Sequence, residues 1–174
     1  MKSVLISIQP KWCELIASGK KTVEVRKTRP KLETPFKVYI YCTQGLFKDL
    51  GVIGNEMYQK RMKVIGEFVC DDIAKILNFI THFGVEGRPE RELNTIARAS
   101  CLDYMDMLEY LGTDKDGYAW HISDLKIYDH PKKLSEFRAH NVRTYTDERG
   151  YIMPTHEMTR PPQSWCYVER LKGV

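Results

Sequence analysis

The sequence predicts an α+β fold in a single domain, with a mainly helical insertion at about residues 72–112. Two observations carry this. Short β-branched and aromatic runs such as Phe36–Cys42 and Met62–Asp71 bracket segments of helical period, and no Pro/Gly/Ser-rich linker divides the 174 residues. A chain of this size buries about 70% of its unfolded surface, enough for a core without staples.

In chain order, Val4–Ile8 reads as the first strand, with Val4, Ile6 and Ile8 on one face. Pro10 sits at a first helical position, Trp12, Leu15 and Ile16 form an apolar stripe, and Gly19 supplies a left-handed stop, so a helix is expected over 10–18. Lys21–Lys27 follows as a strand that places Val23 and Val25 on one face and Thr22, Glu24 and Arg26 on the other. Phe36–Cys42 is a strand by composition, and Thr43–Arg61 a loop with a weak helix. In Met62–Asp71 a glycine, Gly66, marks a bulge or a close backbone approach beside Glu67.

Pro89 opens a helix within the insertion. A second runs over Ser100–Leu111, with Leu102, Met105, Leu108 and Leu111 as its buried face and Gly112 as its stop. Tyr118–Tyr128 returns to strand character, with Trp120 and Ile122 on one face and His121 on the other. Arg138–Met158 reads as a long loop or a hairpin. The closing Thr159–Glu169 approaches a last strand through Pro161 and Pro162 and begins it at Trp165 and Tyr167.

Five cysteines at wide, irregular spacing, with no C-x-x-C pair, read as thiols in a reducing compartment; neither a metal nor a cofactor is expected. No apolar run is long enough to span a membrane and the amino terminus lacks a signal-peptide pattern, so a cytoplasmic location is expected, with no membrane partner. A net charge of +4 permits a polyanionic partner without requiring one.

The chemistry concentrates at Ser18–Arg26, where two lysines, a carboxylate and an arginine fall between a helix and a strand. Glu67, a carboxylate in an apolar strand, needs a cationic partner if buried, and Lys21 and Arg26 are the candidates. For nucleic-acid or nucleotide binding, Lys21 and Arg26 would contact phosphate. Trp12, Trp120 or Trp165 would stack a base, and Glu24, Glu67 or Gln163 would read its edge. Alternatively, Lys21, Glu24, Arg26 and Glu67 form an internal charge network that shapes the fold and binds nothing.

Gly19-Lys20-Lys21-Thr22-Val23-Glu24-Val25-Arg26 resembles the G-x-K-x-x-x-x-R motif of ASCH domains, a branch of the PUA-like superfamily. The strand at Gly66-Glu67 and the closing Pro-Pro-Gln-Ser-Trp-Cys-Tyr-Val segment are similar to bacterial and phage members. The resemblance implies a small closed or nearly closed β-barrel with flanking helices, and a cleft around the motif that takes RNA, a nucleotide or a nucleoside. Some relatives are hydrolases of N4-acetylcytidine that use a Lys, a Thr three residues later and a Glu on a later strand. Here those positions hold Lys21, Glu24 and Glu67, so a hydrolase, of a modified nucleoside or of RNA, would have Lys21, Glu24 and Glu67 as its catalytic residues but would lack the threonine nucleophile. Thr22 does not replace it, because two residues along a strand displace its oxygen by about 6 to 7 Å. A nuclease would add His121 to Lys21.

Overall fold

The computed structural model describes residues 2–45, 53–82, 84–88 and 91–171. They form two compact units, one from 1–14, 37–68 and 126–174, the other from 15–36 and 69–125.

The first unit is built on a seven-stranded mixed sheet in the order β7-β4-β3-β1-β10-β8-β9. Its strands are β1 (Lys2–Ile8), β3 (Phe36–Cys42), β4 (Lys63–Cys70), β7 (Ser123–Lys132), β8 (Arg138–Thr146), β9 (Ile152–Glu157) and β10 (Trp165–Glu169). The apolar run of β1 is central: it pairs parallel with β3, Val4 opposite Val38, and antiparallel with β10, Ile6 opposite Trp165. Burial on both faces explains why β1 and β3 are near-continuous in Val, Ile and Tyr. Leu5, Tyr39, Val64, Tyr128, Phe137 and Val168 belong to the core of this unit. The Ser7 hydroxyl donates to the Pro162 carbonyl at 2.6 Å and its amide to Ser164 at 2.8 Å, so the proline pair is latched to β1 before β10 starts.

The second unit has a three-stranded antiparallel sheet, β2 (Val23–Arg26), β6 (Gly117–His121) and β5 (Ile73–Ile76), with β6 in the middle. Helices α4 (Arg91–Ser100) and α5 (Tyr104–Leu111) supply the rest of its core, where Val23, Val25, Ala74 and Ala119 meet Leu93, Ile96 and Met107. Helix α1 (Pro10–Ala17) carries the chain from the first unit into the second and ends at Gly19, whose φ is +73°. The remaining α-helices among the described residues are short, α2 (Asn55–Gln59) and α3 (Phe79–His82).

Several elements differ from the sequence reading. The closed or nearly closed barrel is not found among the described residues, whose strands fall into two sheets; the fold is α+β with a large mixed sheet. The stretch 72–112 contains a strand, β5, besides its helices. In α5 the buried residues are Met107 and Leu111, while Met105 is 72% exposed: Asp103 caps the helix by accepting the Asp106 amide at 2.8 Å, and a start at Tyr104 turns Met105 outward. The strand expected over Tyr118–Tyr128 is interrupted at Ile122, between β6 and β7, and Asp124 within β7 has a φ of +45°. Of the two readings of Arg138–Met158, loop or hairpin, the structure has the hairpin, β8 with β9. The Thr43–Arg61 loop contains α2, and residues 46–52 of it lie outside the described residues, as do Pro89 and Glu90 at the expected helix start.

Candidate functional site

The motif segment is assembled by backbone contacts inside the second unit. The Lys21 amide donates to the Leu15 carbonyl at 3.0 Å, and the Thr22 amide to Ala99 at 2.8 Å. Residues 20–22 thus lie along the end of α4. That helix ends in a Schellman turn: Leu102 N–H reaches the Ala97 carbonyl and Cys101 N–H the Arg98 carbonyl, with Cys101 left-handed at φ +56°. The Ser100 carbonyl would be one of the helix's orphan acceptors, and the Lys21 ammonium fills it at 2.6 Å. A cation at a helix C-terminus also meets the favourable end of the helix dipole.

Lys21 Nζ lies 3.3 Å from Glu24 Oε2, and Arg26 Nη2 lies 2.9 Å from Glu24 Oε1, so both oxygens of one carboxylate are engaged. All three residues are buried, at 3%, 6% and 8% exposure. Tyr110 on α5 hydrogen-bonds to Arg26; burial pushes its phenol above the ordinary value, and the Arg26 charge pulls the other way. The accessible part of the segment is Lys20, Thr22 and Lys27, all exposed, with Lys27 Nζ 5.3 Å from the Tyr110 ring centre.

Trp120 lies directly across the ladder from Glu24 on β6, fully buried and edge-on to Phe36 at 6.1 Å between ring centres. It offers no face to a base. His121 is exposed on the opposite face of β6, with Nδ1 2.7 Å from Asp71 Oδ1; that hydrogen bond holds the Asp71 carboxyl below its ordinary range.

Glu67 belongs to the first unit, where its partners are Lys37 on β3 and Tyr128 on β7. Lys37 Nζ donates to Oε1 and the Tyr128 hydroxyl to Oε2, each at 2.5 Å. Burial alone would raise the Glu67 carboxyl, but these two hydrogen bonds and the charges of Lys37 and Lys126 outweigh it and hold the carboxyl below its ordinary range. Burial, with the Glu67 charge and hydrogen bond, pushes the Tyr128 phenol far up. Neither Lys37 nor Tyr128 was singled out by the sequence, because only strand pairing brings them to Glu67. The first unit also holds Trp12, half-buried under Lys11 Nζ at 4.8 Å, the exposed Gln163, and Trp165, half-buried and edge-on to Tyr167.

Cys13, Cys42 and Cys70 are buried; desolvation and the charges of Asp71 and Asp72 push the Cys70 thiol up to about 12. Among the described residues no cluster of three or more His, Cys, Asp or Glu side chains is placed to hold a metal, and no helix is long and apolar enough to cross a membrane.

A large mixed sheet, a small helix-covered sheet and a Lys–Glu–Arg cluster that follows a glycine-terminated helix define an α+β fold. The chain belongs to the ASCH domain family, whose model matches residues 6–149. In fold it is similar to ASCH from Zymomonas mobilis, with 19% identity over 97% of this chain and 88% of that one, and a TM-score of 0.60. A serine-to-alanine variant of that protein gives 0.60 with 89% of its chain covered, and a tyrosine-to-phenylalanine variant 0.59 with 92%, both at 19% identity. No curated protein matches the sequence.

Proposed function

We propose that the chain is an RNA- or nucleotide-binding module whose ligand site is organised by the G-x-K-x-x-x-x-R segment. The observation that carries the reading is a charge imbalance on an ordered backbone. Lys20, Lys21, Arg26 and Lys27 stand against one carboxylate, Glu24, whose two oxygens are already taken by Lys21 and Arg26. Lys20 and Lys27 remain exposed at either end of that braced core, as phosphate contacts require. Membership of a PUA-like family often associated with RNA binding supports the same partner. With it goes the finer architecture: a small barrel around the cleft, one ASCH domain with an insertion at about 72–112, and a cytoplasmic role with RNA or a nucleotide as partner.

The burial and full engagement of Glu24 favour, as a second reading, a purely structural charge network. Hydrolysis of N4-acetylcytidine or of RNA gains less support. The contacts described for Lys21 Nζ are a carbonyl and a carboxylate rather than a hydroxyl, and Glu24 has no idle oxygen to activate water.

The test is a titration of labelled single-stranded RNA at about 50 and 200 mM salt, where phosphate binding weakens steeply. Replacing both exposed lysines, Lys20→Ala with Lys27→Ala, lowers the salt slope by about 2 and weakens all sequences alike. Absence of binding at low salt to RNA and to all four ribonucleoside monophosphates overturns the reading in favour of the structural network. Turnover of N4-acetylcytidine that is lost in Lys21→Met, with the variant still folded, would establish the hydrolase instead.

A further inference from the structure

A cavity of about 330 Å³ opens beside the motif at the corner where α4 turns into α5. It is a shallow, open depression whose lining mixes the apolar Ala97, Cys101 and Leu102 with Asn94, Arg98, Asp103 and Tyr104. Three contacts join this corner to the motif: Lys21 Nζ to the Ser100 carbonyl, Thr22 N–H to the Ala99 carbonyl, and the Cys101 thiol to the Lys20 carbonyl at 3.5 Å. The Lys20 backbone carbonyl therefore lies against a lining residue, Cys101, while the Lys20 side chain is exposed.

The chemistry of the walls is selective. Tyr104 donates its hydroxyl to Asn94 Oδ1, which fixes the ring as one side of the opening. The Asp103 carboxylate, also in the lining, accepts the Asp106 amide at Oδ1 as the cap of α5. Arg98 is exposed and forms no ion pair with any carboxylate among the described residues, in contrast to Lys21 and Arg26. An apolar part of the lining, one aromatic ring, an amide side chain and one uncommitted guanidinium match a planar heteroaromatic base carrying a phosphate.

We infer that this corner is the pocket for a nucleoside monophosphate unit. The base lies between Tyr104 and the apolar Ala97 and Leu102, Asn94 faces its edge, and Arg98 with Lys20 takes the phosphate. This rests on the nucleotide-binding reading and places the ligand beside the motif rather than within its closed ion cluster. The role of Lys21 and Glu24 is then to hold the corner in position through Ser100.

Cys101 gives a readout at the site itself, because its half-buried thiol lines the cavity. The experiment follows iodoacetamide labelling of Cys101 by mass spectrometry, with the half-buried Cys166 as an internal control. The four ribonucleoside 5′-monophosphates, the corresponding nucleosides and inorganic phosphate serve as probes. At ten times Kd a monophosphate slows Cys101 labelling about tenfold and leaves Cys166 unchanged. Arg98→Glu abolishes this protection by monophosphates, and Tyr104→Ala weakens protection by nucleosides as well. If monophosphates or RNA bind by thermal shift while Cys101 labels at its free rate and Arg98→Glu binds normally, this pocket is overturned and the motif reading survives. If nothing binds in either assay, both fall. Protection by inorganic phosphate equal to that by monophosphates would overturn the base-stacking part of the assignment.

Discussion

Glu24 and Glu67 are both nearly fully buried carboxylates, each satisfied within its own unit, yet by different chemistry. Glu24 serves two cations, Lys21 and Arg26, and all three come from six consecutive residues. Glu67 serves one cation and one phenol, drawn from strands far apart in the chain. A local cluster can be set by a single short strand, whereas the Glu67 set requires β3, β4 and β7 to be in register. The difference also fixes what each carboxylate protects: beside Glu24 two buried charges depend on it, beside Glu67 only one, and that one is partly exposed.

The largest effect is therefore expected at Glu24. Glu24→Gln leaves two buried cations uncompensated and costs about 3–5 kcal/mol, the range for breaking a buried ion pair from one side. Urea unfolding measures it; a loss below about 1 kcal/mol would mean that water or a neighbouring group already solvates Lys21 and Arg26.

Gly66→Ala comes next, and it tests the register on which Glu67 depends. A β-carbon there would lie 2.5 Å from the Lys126 carbonyl and 3.1 Å from Ile127 Cα, both backbone atoms of β7. The strands must part, at about 1–3 kcal/mol, and the Tyr128 hydroxyl moves away from Glu67. At Gly117 the nearest atoms are instead the ends of the Leu111 side chain, at 2.6 Å. A side chain can rotate where a backbone cannot, so Gly117→Ala is the milder change in the second unit. Equal losses would show that the close approach at Gly66 does not set the register.

Glu67 itself brings a pH dependence. Its carboxyl is held below its ordinary value of about 4.5 in the folded chain, so between that value and the lower folded one the unfolded chain binds more protons. Stability from this group is complete above pH about 4.5 and is lost as the pH falls through the folded value. Glu67→Gln removes this limb: wild type and variant converge in acid and differ by about 1–3 kcal/mol at neutral pH, the scale of a hydrogen bond to a charged group. A gap that persists unchanged to low pH would assign the effect to packing.

The same contrast explains how much of the molecule was legible. The α1 stop at Gly19, the bounds of β3 and the stop at Gly112 are local signals and read directly from the chain. The Lys21–Glu24–Arg26 cluster was legible for the same reason. The Lys37–Glu67–Tyr128 set was not, because nothing in Phe36–Cys42 or Tyr118–Tyr128 states which strand lies beside β4. Strand β5 is four residues, too short for a period. Trp120 looked like a stacking surface because sequence gives residue type, whereas its complete burial follows from its central strand and Phe36. The Cys101 corner was invisible as a site, since a Schellman turn without glycine leaves no composition signal.

The smallest expected effect lies at an exposed pair, Asp71 with His121. Their hydrogen bond is short, 2.7 Å, but the side chains are 45% and 47% exposed, so water competes for both groups. Asp71→Asn is expected to cost only about 0.2–1 kcal/mol and to lose part of that in high salt. Hydrogen-bond length would then be a poor guide across this molecule: 2.9 Å between Arg26 and Glu24 would outweigh 2.7 Å at the surface several-fold, because burial removes the solvent that would otherwise receive the charges. Thermal unfolding of Asp71→Asn and Glu24→Gln side by side checks the ratio. Comparable losses would mean that the Glu24 cluster is wetter than its burial indicates, and with it the premise that the motif's cations are committed would fail.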